Sequence, residues 1–151
     1  MKSVGRPRKY KNSDEMQEAI DQYFKECQGA PLIDLKTGNP VLNKFGYPII
    51  LNRKPPTVTG LALALGFNSR QALLNYQARS KAFNDTLTRA KSRCEEYAEA
   101  RLYDKDGSNG AKFSLANNFK GWSEHPETQQ SAVAVEDDPI TKSLKEEFEK
   151  K

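Results

Sequence analysis

Apolar residues recur at spacings of three and four along most of this chain, interrupted by glycine, proline and polar runs, and that rhythm predicts a mainly α protein. The first stripe is Met16, Ile20, Tyr23, Phe24 and Cys27, on a helix that Asn12 or Ser13 can open. Its other face carries Glu15, Glu18 and Glu26, which would repel phosphate, so this helix reads as a brace or a subunit contact. Residues 56–76, PTVTGLALALGFNSRQALLNY, predict two short helices around a glycine turn. Thr57 or Thr59 caps the first, Leu61, Ala62 and Leu65 point inward, and Gly66 accepts the left-handed turn. A small residue at Ala62 lets the second helix cross closely, and Phe67 plugs the corner. Ser69 caps the second helix, with Ala72, Leu73 and Tyr76 inside and Asn68, Arg70, Gln71, Asn75 and Gln77 outside. That is a helix-turn-helix pattern carrying side chains suited to base edges, although a plain helical hairpin shares its apolar spacing.

Between these helical stretches, residues 30–56 change to short β-like runs at 32–35, 41–43 and 49–51, separated by TGNP and FGYP turns. Lys44, Arg53 and Lys54 make this small hairpin insertion basic, either a wing against a DNA backbone or a solvated loop. Residues 81–103 predict one long helix, with Phe83, Leu87, Ala90, Cys94, Tyr97, Ala98 and Leu102 on one side. Asp106 and Gly107 end it, Ser108 or Asn109 caps the next, and Ala111, Leu115, Ala116, Phe119 and Trp122 continue the apolar surface until Gly121 closes that helix. A stripe of that length exceeds what a small helix pair covers. Phe83, Leu87, Cys94, Tyr97, Leu115, Phe119 and Trp122 are therefore expected to contribute to oligomerisation, with a long core helix as the alternative. Residues 131–136, SAVAVE, have the β-branched content of a short strand that nothing nearby could pair with, which suggests pairing between subunits. Asp138 and Pro139 then start a final helix whose Ile140, Leu144 and Phe148 share one face, an expected partner-docking surface.

Charge sharpens this picture. The 151 residues carry a net +4, yet Lys2, Arg6, Arg8, Lys9 and Lys11 open the chain without an acid, whereas Glu124, Glu127, Glu136, Asp137 and Asp138 gather near its end. Residues 1–12 read as a basic flexible arm, in which Pro7 keeps Arg6, Arg8 and Lys9 extended enough to follow a minor groove. The candidate DNA contacts are thus Arg6, Arg8, Lys9 and Lys11 on the arm and Asn68, Ser69, Arg70, Gln71, Asn75 and Gln77 on the motif. Cys27 and Cys94 fall at apolar helical positions and are expected reduced and buried, with no signal peptide ahead of them. One histidine, His125, and two distant cysteines do not build an ordinary zinc site, and no apolar run is long enough to span a bilayer. A phosphate-binding GxxxxGK[ST] loop is absent, and consecutive acids at Glu136, Asp137 and Asp138 point in different directions, so a metal-dependent nuclease is a minor alternative. A non-catalytic, soluble, intracellular binder without cofactors is the expectation.

In this order, the segments GRPRKY, QEAIDQYFKEC, PPTVTGLALALGFNSRQALLNY, KAFNDTLTRAKSRCEEY and NGAKFSLANNFKGWSE resemble the small subunit of phage terminases, which recognises viral DNA for packaging. The resemblance implies a mainly α ring oligomer larger than a dimer, working in the host cytoplasm with double-stranded DNA and the terminase large subunit. Residues 13–80 would be a helix-turn-helix DNA-binding domain holding the β insertion at 30–56, and residues 81–122 would supply the oligomerisation helices. Residues 123–151 would be a C-terminal strand and docking tail, with 131–136 lining or crowning the ring and the end contacting the large subunit. Lys142, Lys145, Lys150 and Lys151 are mixed with Glu146, Glu147 and Glu149, a departure from relatives with a basic C-terminus. That mixture leaves the arm and the motif as the expected DNA site. A dimeric helix-turn-helix transcription regulator and a structural adaptor with incidental charge are the rival readings.

Overall fold

Asn12 starts the first helix by accepting the Glu15 N–H on its side-chain oxygen at 2.8 Å, while the Glu15 carboxylate accepts the Lys11 N–H at 2.7 Å. The first bond satisfies an N–H group that a helix start leaves unpaired, and the second holds the residue just before the cap. The computed structural model describes residues 9–123. Within them α1 spans Ser13–Cys27, α2 Val58–Ala64, α3 Arg70–Arg79, α4 Lys81–Ala100 and α5 Ser108–Asn118, and β1, Ala30–Pro31, pairs antiparallel with β2, Ile50–Leu51.

The core is built where the sequence periodicities converge. Met16, Ile20, Tyr23, Phe24 and Cys27 of α1 pack with Leu61, Ala62, Leu65, Leu73, Phe83, Leu87, Ala90 and Cys94 in one buried cluster. Both cysteines are free and buried. Tyr23 links this core to the start of α2: its hydroxyl accepts the Thr57 N–H at 2.9 Å and donates to the Thr57 carbonyl at 3.1 Å. Thr57 in turn caps α2 by accepting the Gly60 N–H at 3.0 Å. On the outside, Arg93 of α4 reaches Asp21 of α1 at 3.0 Å and lies over the Phe24 ring, 3.8 Å from its centroid. A cation stacked on a ring adds packing to an ion pair that solvent would otherwise weaken.

The insertion is far less regular than three strands. Its ladder has only two residue pairs, followed by isolated bridges between Ile33 and Pro40 and between Leu42 and Pro48. Proline donates no N–H, so Pro31, Pro40 and Pro48 cut each run short. A closed set of backbone bonds replaces the sheet: Leu32 donates to Ile49, Ile49 to Val41, and Val41 to Leu32, all at 2.8–2.9 Å. The two ends of the loop meet at α1, where the Cys27 carbonyl accepts the Lys54 N–H at 3.0 Å. Gly29, at φ +75°, permits that closure, because a Cβ there would collide with the Leu51 carbonyl oxygen.

Helix ends and burial also correct the sequence pattern. The long helix stops at Ala100 and tightens into a 3-10 turn, Arg101–Tyr103, held by the Arg101–Asp104 ion pair at 2.7 Å. Neither Ser108 nor Asn109 caps α5, which starts from Gly107 without a side-chain bond and ends at Asn118, where Phe119 turns extended. Most of the long apolar stripe is used inside a single chain: Phe83, Leu87 and Cys94 lie under α1–α3, and Leu115 is buried on α5. A second subunit is not needed to cover them. Tyr97 stays 36% exposed, Phe119 and Trp122 are half-buried, and the Trp122 indole donates to Glu95 at 2.7 Å. The strand expected at 131–136, the helix face expected for Ile140, Leu144 and Phe148, and Arg6 and Arg8 lie outside the described residues.

Tyr23→Phe is expected to lower stability by about 1–2 kcal/mol, because the Thr57 N–H loses its partner and the Thr57 carbonyl keeps only the Leu61 N–H, and chemical denaturation measures that loss. Alkali should act on the same core. Burial pushes the Tyr23 phenol from 10.0 to about 12 and the Cys94 thiol from 9.0 to about 12. A folded-state value raised above the unfolded one means that stability is full below pH 9 and falls as pH climbs from 9 through 12. The Tyr23→Phe variant should lose less of its remaining stability across the upper part of that range.

Candidate nucleic-acid interface

The junction between α2 and α3 sets the site. Gly66 takes φ +79°, and two backbone bonds close the end of α2: Gly66 N–H to Leu63 at 3.0 Å and Phe67 N–H to Ala62 at 2.9 Å. This is the Schellman arrangement, which a left-handed residue after the helix makes possible. It leaves the Leu65 and Gly66 carbonyls facing away from the helix ladder. The arm uses both: Tyr10 donates its hydroxyl to Leu65 at 2.8 Å, and the Lys9 ammonium donates to Gly66. Lys9 also lies over the Phe67 ring, 4.6 Å from its centroid. Burial, then the nearby Glu15 and Tyr76, raise the Tyr10 phenol above its ordinary value, so it remains a donor.

Ser69 begins α3 by accepting the Ala72 N–H at 3.0 Å, which gives this candidate DNA contact a capping role. Asn68, Gln71 and Asn75 are exposed, and Gln71 donates to the Asn75 side chain at 2.9 Å across one turn. Gln77 and Arg70 depart from that outward group. Gln77 spans to α4, donating to Asn84 at 3.0 Å and Thr88 at 2.9 Å. Arg70 turns towards α5 and donates to Asn118, placing it in a different groove from Asn75.

Between α3 and the start of α4 runs a groove of about 860 Å³. Lys9, Arg79 and Lys81 are among the side chains along it, beside Asn68 and Asn75, and no acid lines it. Its wall is aromatic: Phe67 and Tyr76 pack at 5.1 Å between ring centroids, and Tyr76 stacks on Phe83 at 5.8 Å. Lys11 is exposed just beyond the anchored Tyr10. Such an arrangement suits a polyanion, with cations for phosphate and amides at a helix face for hydrogen bonding. Arg79, Lys81 and Tyr10 escape the sequence reading of the site. Arg79 follows Gln71 and Asn75 at four-residue spacing, a signal that extends the same face beyond Gln77. The second groove, about 480 Å³, lies between the start of α2, α4 and α5 and contains Arg70 and Arg101.

Among the described residues no helix is long and apolar enough to cross a membrane. The family model described as DNA-packaging protein gp3 matches residues 5–130. No curated protein and no solved structure matches the chain.

Replacing Gly66 by Ala tests the junction, since a side chain must then hold a left-handed conformation and its Cβ would stand 3.1 Å from the Lys9 side chain. The expected cost is about 1 kcal/mol or more in a denaturation series. Exchange of the arm and α3 amide protons should quicken together, whereas faster exchange in α3 alone would show that the arm is held elsewhere.

Proposed function

The chain belongs to the DNA-packaging protein gp3 family, which gives it a role in phage genome packaging and accords with a terminase small subunit; from that premise we propose that it is the non-catalytic DNA-recognition subunit of the packaging machinery. The observation that carries this reading is the acid-free groove bearing Lys9, Arg79 and Lys81 beside the exposed amides Asn68, Gln71 and Asn75. We read α2, its turn and α3 as a helix-turn-helix. Ten residues of α3 extend about 15 Å, and its polar face suits a major groove roughly 12 Å wide. Phosphate contacts from the cations position the helix, and the amides read base edges.

The arm extends this grip. Lys9 is seated on the α2–α3 turn, so Arg8 and Arg6 start within about 11 Å of it by chain length alone. From there they follow the backbone or enter the neighbouring minor groove. Weak contacts from one subunit become strong when several act together, and a homo-oligomeric ring larger than a dimer supplies that multivalency. The exposed Tyr97, Tyr103 and Phe113 on α4, the 3-10 turn and α5 offer apolar surface for the neighbouring subunit. The ring delivers DNA to the large subunit, where ATP hydrolysis and cleavage reside, and Ile140, Leu144 and Phe148 in the tail make that contact.

Titration with double-stranded DNA at several salt concentrations tests the reading. Converting Lys9, Arg79 and Lys81 to Gln should weaken binding to all sequences and flatten the salt slope by about one for each phosphate that is no longer neutralised. Gln71→Ala or Asn75→Ala should instead cost about 1–3 kcal/mol on the preferred site alone. Salt-insensitive binding, or unchanged affinity in the triple variant, would remove the groove from DNA recognition. Native mass measurement should give a species larger than a dimer; a stable dimer would favour a transcription regulator.

A further inference from the structure

Residues 35–84 contain no Asp or Glu and seven Lys or Arg. That stretch runs from the β insertion through α2 and α3, so the insertion shares the sign of the DNA-facing helix. Lys36, Lys44, Arg53 and Lys54 are exposed on the insertion, and none of them has an ion-pair partner among the described residues. The single acid between residues 30 and 54, Asp34, is turned to its own backbone and accepts the Lys36 N–H at 2.8 Å.

Asn43 builds the outer turn of the insertion. Its side-chain oxygen accepts the Phe45 N–H at 2.9 Å and the Tyr47 N–H at 3.1 Å, its own N–H donates to the Tyr47 carbonyl at 2.8 Å, and its carbonyl accepts the Gly46 N–H at 3.0 Å. Four bonds to one residue thus fix the backbone of residues 43–47, while the rings it presents stay bare: Phe45 is 72% exposed and Tyr47 68%. The Lys44 ammonium stands 4.9 Å from the centroid of the Phe45 ring. A cation beside a bare ring on a held turn fits a minor groove, which offers phosphates along its rim and an apolar wall of sugars. The exposed Leu35 and Leu42 would serve a protein surface equally, but a stretch without acids favours a polyanion.

Placement brings this turn within reach of the same duplex. The insertion rejoins the fold at Pro55 and Pro56, which line one groove with Thr57 and with Arg70, the first residue of α3. Lys9 and Tyr10 are seated at the other end of α2, on Gly66 and Leu65. From the β1–β2 ladder at Leu51 out to Phe45 the chain runs six residues, about 20 Å when extended. Half a helical turn of DNA is about 17 Å, the step from a major groove to the minor groove beside it.

We propose that the outer turn of the insertion is a second DNA contact, in which Lys44 neutralises a backbone phosphate and Phe45 packs into the minor groove half a turn from α3. The inference rests on α3 as the DNA-facing helix. It gives the duplex a grip on each side of that helix, Lys9 and Tyr10 marking one side and the insertion the other.

Salt-dependent titration of the full chain with duplex DNA tests it. The Lys44→Gln/Phe45→Ala variant should bind about fivefold or more weakly and show a salt slope lower by about one for each subunit engaged. Its native mass should equal that of the unaltered chain. A photoreactive benzoylphenylalanine in place of Phe45 should attach to the duplex on irradiation, and a minor-groove-binding drug should suppress that link while leaving the one formed from position 71. Unchanged affinity of the Lys44/Phe45 variant, beside weakened binding when Lys9, Arg79 and Lys81 are replaced, overturns this inference and leaves the reading of the groove standing. Unchanged affinity in both variants overturns the two together. An altered native mass in the Lys44/Phe45 variant also overturns it and assigns the turn to a contact between copies of the chain.

Discussion

The left-handed backbone at Gly66 is the constraint through which the core and the candidate DNA surface depend on each other. It lets α2 end after two turns with Leu61, Ala62 and Leu65 still under α1, so that α3 departs at an angle that buries Leu73 in the same cluster. The same termination frees the carbonyls that hold Tyr10 and Lys9. A residue with a side chain at Gly66 would strain both arrangements at once. Lys9 and Tyr10 therefore gain their seat from helix-end geometry, beside Phe67.

Charge is divided in a way that supports this arrangement. Glu15, Glu18 and Glu26 are exposed on α1, whereas the cations of the acid-free groove come from the arm, α3 and α4. A nucleic acid drawn to the groove thus meets attraction there and repulsion from α1, which favours one docking face over many. The net charge of the chain would not reveal that preference.

How much was readable from sequence varied with the range of the interactions. The stripes on α1 and α4, and the caps at Asn12, Thr57 and Ser69, depend on neighbours within one or two turns, and they appear as expected. The β insertion was legible as an interruption, but its three prolines left a cyclic backbone network that no strand pattern encodes. The same limit applies to the site. Helical spacing places Arg70 beside Gln71, yet only the position of α5 shows that Arg70 bonds Asn118. Gln77 likewise looks like a surface amide until α4 brings Asn84 and Thr88 beneath it. Phe83, Leu87 and Cys94 suggested a subunit contact because periodicity reports burial without identifying what does the burying.

Those two departures explain why α3 suits recognition better than its sequence suggests. The helix is only ten residues long, too short to persist alone, so its order must come from its contacts. Arg70 ties its first turn to α5, Leu73 and Tyr76 secure its middle against the core, and Gln77 fastens its last turn to α4. Each of these bonds removes one polar side chain from the surface available for reading. In exchange, Gln71 and Asn75 remain on a helix tied down by its own chain, with Asn68 just ahead of its cap, and the Gln71–Asn75 bond limits the rotamers of both. Ordering side chains is a cost of binding, so a short face held in advance loses less freedom than a longer one free to move. The residues that turned away from the groove are thus part of how the remaining ones act.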